Sequence, residues 1–174
     1  MGSGRACFDG PFWAELAGKG RGTPRPQGEG PIMVEVAYAG TLSPKEAWDM
    51  LAADPDARLI DVRTTAEWAY VGVPDISDLD KTPLFIPWIT FPAQQPNPDF
   101  VQQVAAAPGV TQKTPLLFIC RSGVRSAYAA AALSAMGYRK CYNVAEGFEG
   151  DHDDHDHRGT IGGWKVAGLP WKQK

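Results

Sequence analysis

The stretch that decides the fold is Leu116-Leu117-Phe118-Ile119-Cys120-Arg121-Ser122-Gly123-Val124-Arg125-Ser126. Its first four residues form an unbroken apolar run, which is typical of a strand in the middle of a parallel sheet covered on both faces. Six of the nine residues from Ala127 to Ala135 are Ala, which favours a helix beginning near Ser126. The stretch therefore predicts a buried strand, a short loop and a helix.

Outward from this stretch, strands and helices alternate. Ser43-Pro44-Lys45-Glu46 has the cap, the first-turn proline and the third-position acid of a helix start. Asn97-Pro98 begins a second predicted helix. Further strands are predicted at 34–37, 58–62, 84–86 and, as the last one, 140–144. The alternation predicts an α/β fold with a mainly parallel central sheet of about five strands flanked by helices.

Length and composition predict one domain preceded by a tail. The chain has 174 residues, of which 44% are hydrophobic, enough for a globular core. The segment from Gly18 to Pro31 is rich in Gly, Pro, Lys and Arg and has no apolar period. We therefore expect residues 1–32 to be a poorly ordered or appended tail and residues 33–174 to form the domain.

Charge and hydropathy exclude several classes of protein. With 17 basic and 20 acidic residues, the formal net charge is −3, so we expect no nucleic-acid partner. The longest mostly apolar stretch, Ala127–Met136, is short of the roughly 18–20 residues that cross a bilayer. We expect no secretory signal, because Asp9 and Glu15 interrupt Ala6–Ala17, where its apolar core would have to lie. Three cysteines are a poor disulfide framework, so we expect a reducing, cytoplasmic location and no membrane partner.

The chemistry is expected at Cys120. Ligand sites of parallel sheets lie at the carboxyl ends of the strands, and a helix N-terminus there offers free N–H groups and partial positive charge. Gly123 allows the loop to curl, while Arg121 and Arg125 add donors for an anion. Together these features favour a thiolate and make Cys120 the candidate nucleophile. Cys141 lies inside a predicted strand and Cys7 lies in the tail, so neither is given a role.

Several segments resemble one family. The loop from Cys120 to Ser126 resembles the active-site loop of single-domain rhodaneses, the thiosulfate sulfurtransferases. Leu59-Ile60-Asp61-Val62-Arg63, followed by Glu67-Trp68, is similar to a second signature of the family. Gly147 and the segment 162–171 are similar to its later parts, so the resemblance spans about residues 41–171. The chain departs from the family at Val71–Ile76, where many members carry Gly-His-Ile-Pro-Gly-Ala.

The resemblance implies a rhodanese-like fold and a two-step sulfur transfer through a Cys120 persulfide. It implies a small anionic sulfur donor, a thiol or cyanide as acceptor, and no cofactor. Arg121 and Arg125 would hold the donor's sulfonate, whereas Asp61, Arg63 and Glu67 would support the loop and Trp68 would join the core. The whole substrate-binding loop would comprise Arg121, Ser122, Gly123, Val124, Arg125 and Ser126.

Two alternatives and one weaker site stay open. A rhodanese-like module could bind a partner or an anion without catalysis. A small cysteine-dependent phosphatase or arsenate reductase is less favoured, because tyrosine phosphatases place one more residue between Cys and Arg than the four found here. The segment 151–158 holds all three histidines, His152, His155 and His157, among aspartates. We predict a solvated acidic loop there and no metal, although imidazole and carboxylate are metal ligands.

Overall fold

The computed structural model describes residues 37–173, so the predictions for the tail, including Cys7 and the strand residues 34–36, lie outside the described part. Within residues 37–173 there are four α-helices: α1 (Pro44–Ala53), α2 (Thr65–Tyr70), α3 (Phe100–Ala105) and α4 (Val124–Ala135). The same residues form seven strands: β1 (Gly40–Leu42), β2 (Arg58–Asp61), β3 (Val73–Pro74), β4 (Leu84–Phe85), β5 (Leu116–Ile119), β6 (Cys141–Val144) and β7 (Trp171–Lys172).

The central sheet has five parallel strands in the order β1-β6-β5-β2-β4. The pairing sets Leu117 opposite Leu59 on one side and Tyr142 on the other. β3 and β7 form a separate antiparallel pair. The predicted α/β fold with a five-stranded parallel sheet is confirmed. Because the strands run in one direction, the loops that follow them meet at a single edge of the sheet.

Two core layers cover β5, as its apolar sequence predicts. All four of its residues are fully buried. Leu116 and Phe118 face a layer with Phe100 of α3 and Leu133 of α4. The alternate residues face a second layer, which contains Leu51 of α1 together with Phe148 and Trp164. Burial stabilises the fold by about 1.5–3 kcal/mol for each large apolar side chain. Burial on both faces therefore fixes the position of β5 in the sheet and of the residue that follows it.

Paired caps define where α1 and α2 begin. The Ser43 hydroxyl accepts the Glu46 N–H, and the Glu46 carboxylate accepts the Ser43 N–H at 2.7 Å. This reciprocal arrangement confirms the predicted start of α1. Thr64 and Glu67 repeat it at α2, with the Thr64 N–H donating to Glu67 Oε2 at 2.9 Å. Each pair satisfies two backbone N–H groups, one of the cap residue and one of the glutamate, at a helix end where such groups lack partners within the helix.

Two helix starts and two short strands differ from the predictions. α4 begins at Val124, two residues before Ser126, because Gly123 serves as its cap at a φ of +95°. α3 begins after Asp99, since the Asn97 side chain accepts the Asp99 N–H in a turn. One of the two edge strands is β1, and its three residues contain no apolar run that would reveal it in the sequence. β6 was predicted to be the last strand, but β7 follows it and is formed by pairing with the distant β3.

Among the described residues, no helix has both the length and the apolar character needed to cross a membrane.

Candidate active site

Cys120 lies at the carboxyl end of β5, directly before α4. The residue is 1% exposed, so the sulfur lies beneath its own loop rather than on the surface. Its Sγ accepts the Gly123 N–H at 3.1 Å and the buried Ser126 hydroxyl at 3.2 Å. Both donors stabilise negative charge on the sulfur. The structure therefore brings Cys120, Gly123 and Ser126 together as the sequence predicted.

The segment after β6 fixes the backbone of the cysteine loop. The Phe148 N–H donates to the Cys120 carbonyl at 2.7 Å, and the Glu149 N–H donates to the Arg121 carbonyl at 2.9 Å. Gly147 makes this approach possible, because its φ is +61° and a Cβ there would lie 2.4 Å from the Cys120 carbonyl oxygen. The two loops are thus packed backbone against backbone.

The two loop arginines have different surroundings. Arg125 donates from both guanidinium ends to the Glu67 carboxylate, at 2.8 and 2.6 Å, and both side chains are about four-fifths buried. Such a bidentate pair fixes the plane of the guanidinium. Arg121 is exposed, and within residues 37–173 its guanidinium has no hydrogen-bond or ion-pair partner. Of the two loop arginines, Arg121 is therefore the one whose guanidinium is unengaged.

Glu67 is held in its charged form. Burial by itself would raise the pKa of Glu67, but hydrogen bonds from Arg125 and Thr64 outweigh it and lower that pKa to about 2. Burial would lower the pKa of Arg125, yet the hydrogen bond and charge of Glu67 raise it. The same carboxylate caps α2, so Glu67 joins the start of one helix to the first turn of another.

Asp61 and Arg63 pair with each other, whereas the resemblance implied hydrogen bonds and ion pairing with the loop. Both are fully buried and form an ion pair of 2.6 Å, and Arg63 also donates to the Gly72 carbonyl at 2.8 Å. Neither side chain hydrogen-bonds to residues 120–126. Arg63 instead lies over the Phe148 ring, with its Cζ 4.1 Å from the centroid. Burial by itself would lower the pKa of Arg125, and the charge of Asp61 adds to that of Glu67 in raising it, so Asp61 acts on the loop without a hydrogen bond to it.

The remaining predicted residues have lesser contacts. Ser122 is half-buried and Val124 is 59% exposed, so the loop presents an apolar side chain to solvent. Trp68 is half-buried rather than in the core, and its ring lies edge-on to Phe85 at 5.3 Å. Cys141 is fully buried on β6, and burial raises its pKa to about 11. It has the character of an inert core thiol.

The histidine-rich segment forms a loop organised by one aspartate. The Asp153 carboxylate accepts N–H groups of His155 and His157 at 2.9 Å and the Thr160 hydroxyl at 2.8 Å. The loop is anchored next to the site, because the Gly159 N–H donates to the Glu149 carbonyl. Nowhere between residues 37 and 173 are three or more His, Cys, Asp or Glu side chains arranged to hold a metal ion.

Two contributors were not identified from the sequence. Thr64 braces Glu67, and the pattern Thr-x-x-Glu at 64–67 is a capping signal that could have revealed it. Phe148 supplies both the hydrogen bond to Cys120 and the ring beneath Arg63. Nothing in a single sequence marks a phenylalanine for that position.

Solved structures share this arrangement of the chain. The crystal structure of Rv0390 from Mycobacterium tuberculosis is 41% identical, covers 79% of this chain and all of its own, and superposes with a TM-score of 0.73. The polysulfide-sulfur transferase homodimer of Wolinella succinogenes is 26% identical, with a TM-score of 0.51. It covers 77% of this chain and 78% of its own.

Curated relatives and a family model agree with the structural matches. An uncharacterized Rickettsia rickettsii protein is 38% identical over 127 residues, which are 73% of this chain and 92% of the relative. The chloroplastic rhodanese-like domain-containing protein 4 of Arabidopsis thaliana is 26% identical over 76% of this chain and 25% of its own length. The family model of the STR4 middle domain matches residues 39–174. The chain therefore belongs to the STR4 middle-domain family and has the rhodanese-like α/β fold.

Proposed function

We propose that the protein is a sulfurtransferase that carries a sulfane sulfur as a persulfide on Cys120. The observation that carries the proposal is the pair of donors on Sγ, the Gly123 N–H at 3.1 Å and the Ser126 hydroxyl at 3.2 Å. They stabilise the thiolate that must attack a donor. The Wolinella structure, which bears the name of a polysulfide-sulfur transferase, supports the same class of chemistry.

In the first half-reaction the Cys120 thiolate attacks the outer sulfur of thiosulfate or a similar donor. A bond forms between Sγ and that sulfur, while the sulfur–sulfur bond of thiosulfate breaks and sulfite leaves with its electron pair. The product is a cysteine persulfide whose terminal sulfur carries negative charge. The cysteine loop supplies donors for that charge, as oxyanion sites do for developing oxygen charge.

In the second half-reaction a nucleophile removes the terminal sulfur. Cyanide attacks it through carbon, a carbon–sulfur bond forms, and the Cys120 thiolate leaves as thiocyanate is released. A thiolate acceptor reacts in the same way and departs as a persulfide. No oxidant or reductant is consumed, since the sulfur moves between two nucleophiles.

The arginine geometry supports different roles for the two cations in donor binding. Arg121 is unengaged and exposed, so we assign it the sulfonate oxygens of an anionic donor. Both ends of the Arg125 guanidinium donate to Glu67. Arg125 therefore contributes to the shape and charge of the site and offers the donor molecule no free pair of N–H groups. Arg121→Gln should raise the KM for thiosulfate several-fold and leave the rate at saturation within about two-fold.

A reducing compartment such as the cytoplasm suits this chemistry, because Cys120 must remain a free thiol between turnovers. A related chain from Arabidopsis is chloroplastic.

Thiocyanate production from thiosulfate and cyanide tests the proposal. Initial rates measured over a grid of both substrates should give parallel double-reciprocal lines, the pattern of a ping-pong reaction. Cys120→Ser should abolish turnover, whereas Cys141→Ser should keep it. Absence of turnover with thiosulfate, polysulfide and mercaptopyruvate would instead favour a binding module. Faster hydrolysis of p-nitrophenyl phosphate than consumption of thiosulfate would favour a phosphatase.

A further inference from the structure

Phe148 connects the buried Asp61–Arg63 pair to the peptide of the nucleophile. Its backbone N–H donates to the Cys120 carbonyl at 2.7 Å. Its ring lies beneath the Arg63 guanidinium, at 4.1 Å from Cζ to the centroid. Both Phe148 and Arg63 are fully buried, so the contacts are shielded from water. No other described residue bonds to the Cys120 carbonyl and also contacts this ion pair.

The backbone side of Phe148 determines where the loop donors point. In a trans peptide the C=O and N–H groups point in opposite directions. The Cys120 and Arg121 carbonyls face Phe148 and Glu149, so the N–H groups of Arg121 and Ser122 are directed away from that segment. Consecutive N–H groups on one side of a loop form an anion-binding nest. The hydrogen bond from Phe148 thus sets the orientation of the Arg121 N–H, and the bond from Glu149 sets that of the Ser122 N–H, both in the loop that carries Cys120.

The ring side of Phe148 determines where its backbone lies. Arg63 covers the ring, Lys165 Nζ lies 5.1 Å from its centroid, and Trp171 meets it edge-on at 6.3 Å. Arg63 is itself fixed by Asp61 and the Gly72 carbonyl, and its Nη1 has no hydrogen-bond partner. A cation–π contact is stronger when the cation is desolvated, as the fully buried Arg63 is here.

We propose that Phe148 is a positioning residue, through which the buried Asp61–Arg63 pair sets the geometry of the Cys120 loop. The inference rests on the proposed function for its catalytic meaning, although the positioning itself concerns only the thiol. It gives the Asp61–Arg63 pair a route to the site that does not require direct contact with residues 120–126. Loss of the aromatic ring should let the 147–149 segment shift and misdirect the loop donors.

The test compares Phe148→Leu with Phe100→Leu, an identical substitution at an equally buried site, where the ring packs against Trp88 and Phe118 and the backbone N–H donates to the Asn97 carbonyl. Both proteins carry Cys7→Ser, so that alkylation by iodoacetamide reports on Cys120. Alkylation rates are measured alongside rates of persulfide formation with thiosulfate and thermal unfolding midpoints. Rates are expressed per folded molecule, which separates reactivity from stability.

We expect Phe148→Leu to slow both reactions about tenfold, because donors to a charged sulfur are worth about that factor or more. Phe100→Leu should lower the unfolding midpoint without changing either rate. Phe148→Tyr keeps the ring and should restore the rates even where it lowers stability. Equal rates for the two leucine variants would overturn the positioning role. The alkylation result stands even if no thiosulfate is consumed, so failure of this inference and failure of the proposed function are distinguishable.

Discussion

Gly147→Ala should uncouple the two loops that form the site. At the φ of +61° that Gly147 adopts, an alanine would be destabilised by about 1 kcal/mol, because L-residues disfavour left-handed backbone. Its Cβ would also lie 2.4 Å from the Cys120 oxygen and 2.6 Å from the Arg121 carbonyl carbon, both of them backbone atoms. To reach a separation of 3.0 Å, the segments must part by about 0.6 Å. The hydrogen bonds from Phe148 and Glu149 then weaken, at about 1 kcal/mol each.

The total expected loss is therefore about 3 kcal/mol of unfolding free energy, together with at least a tenfold slower reaction of Cys120. Gly168→Ala is the matched control, since its φ is +74° and a Cβ there meets nothing within 4 Å. It should cost only about 1 kcal/mol and leave the thiol unaffected. Urea unfolding and iodoacetamide alkylation measure both effects. Equal losses in the two variants would refute the steric reasoning, because both share the backbone penalty.

Three further changes test separate parts of the site. Because the folded pKa of Glu67 is about 2, its stabilisation is present above about pH 4.5 and disappears as the pH falls towards 2. Glu67→Gln should therefore lower the free energy of unfolding by up to about 3 kcal/mol at pH 7 and make it less dependent on pH between 4.5 and 2. An unchanged pH dependence in this range would contradict the pair with Arg125. Ser126→Ala removes one donor from Cys120 and should slow alkylation about tenfold with little change in the unfolding midpoint; an unchanged rate would contradict the hydrogen bond. Cys141→Ser should leave sulfur loading intact, because burial raises the pKa of that thiol to about 11, and loss of loading would assign it a role.

The fold was predictable where local signals agree with long-range packing. The apolar run Leu116–Ile119 predicts a central strand, and both faces of β5 are indeed buried. The Ser43–Glu46 cap predicts α1 to the residue, because both hydrogen bonds are local. β1 and β7 were missed, since strands of two or three residues depend on partners far along the chain. Sequence periodicity contains no information about such pairings.

The candidate site was predictable for similar reasons. A cysteine, a glycine and a serine within one strand–loop–helix unit come together by local geometry alone. The ion pair between Arg125 and Glu67 joins residues 58 positions apart, so the local spacing of residues could not predict it. Asp61 and Arg63 were noticed as a motif, but their hydrogen bonds run to each other and to Gly72 rather than to the loop, and the contact of Arg63 with the Phe148 ring was not predictable from the motif.

The most direct test of the central claim is the intact mass of the protein before and after incubation with thiosulfate, for the wild type and Cys120→Ser. We expect a gain of about 32 Da, one sulfur atom, in the wild type alone, and its loss on adding cyanide. A gain in Cys120→Ser equal to that of the wild type would contradict the assignment of the persulfide. No gain in the wild type with thiosulfate or polysulfide would contradict sulfur transfer itself.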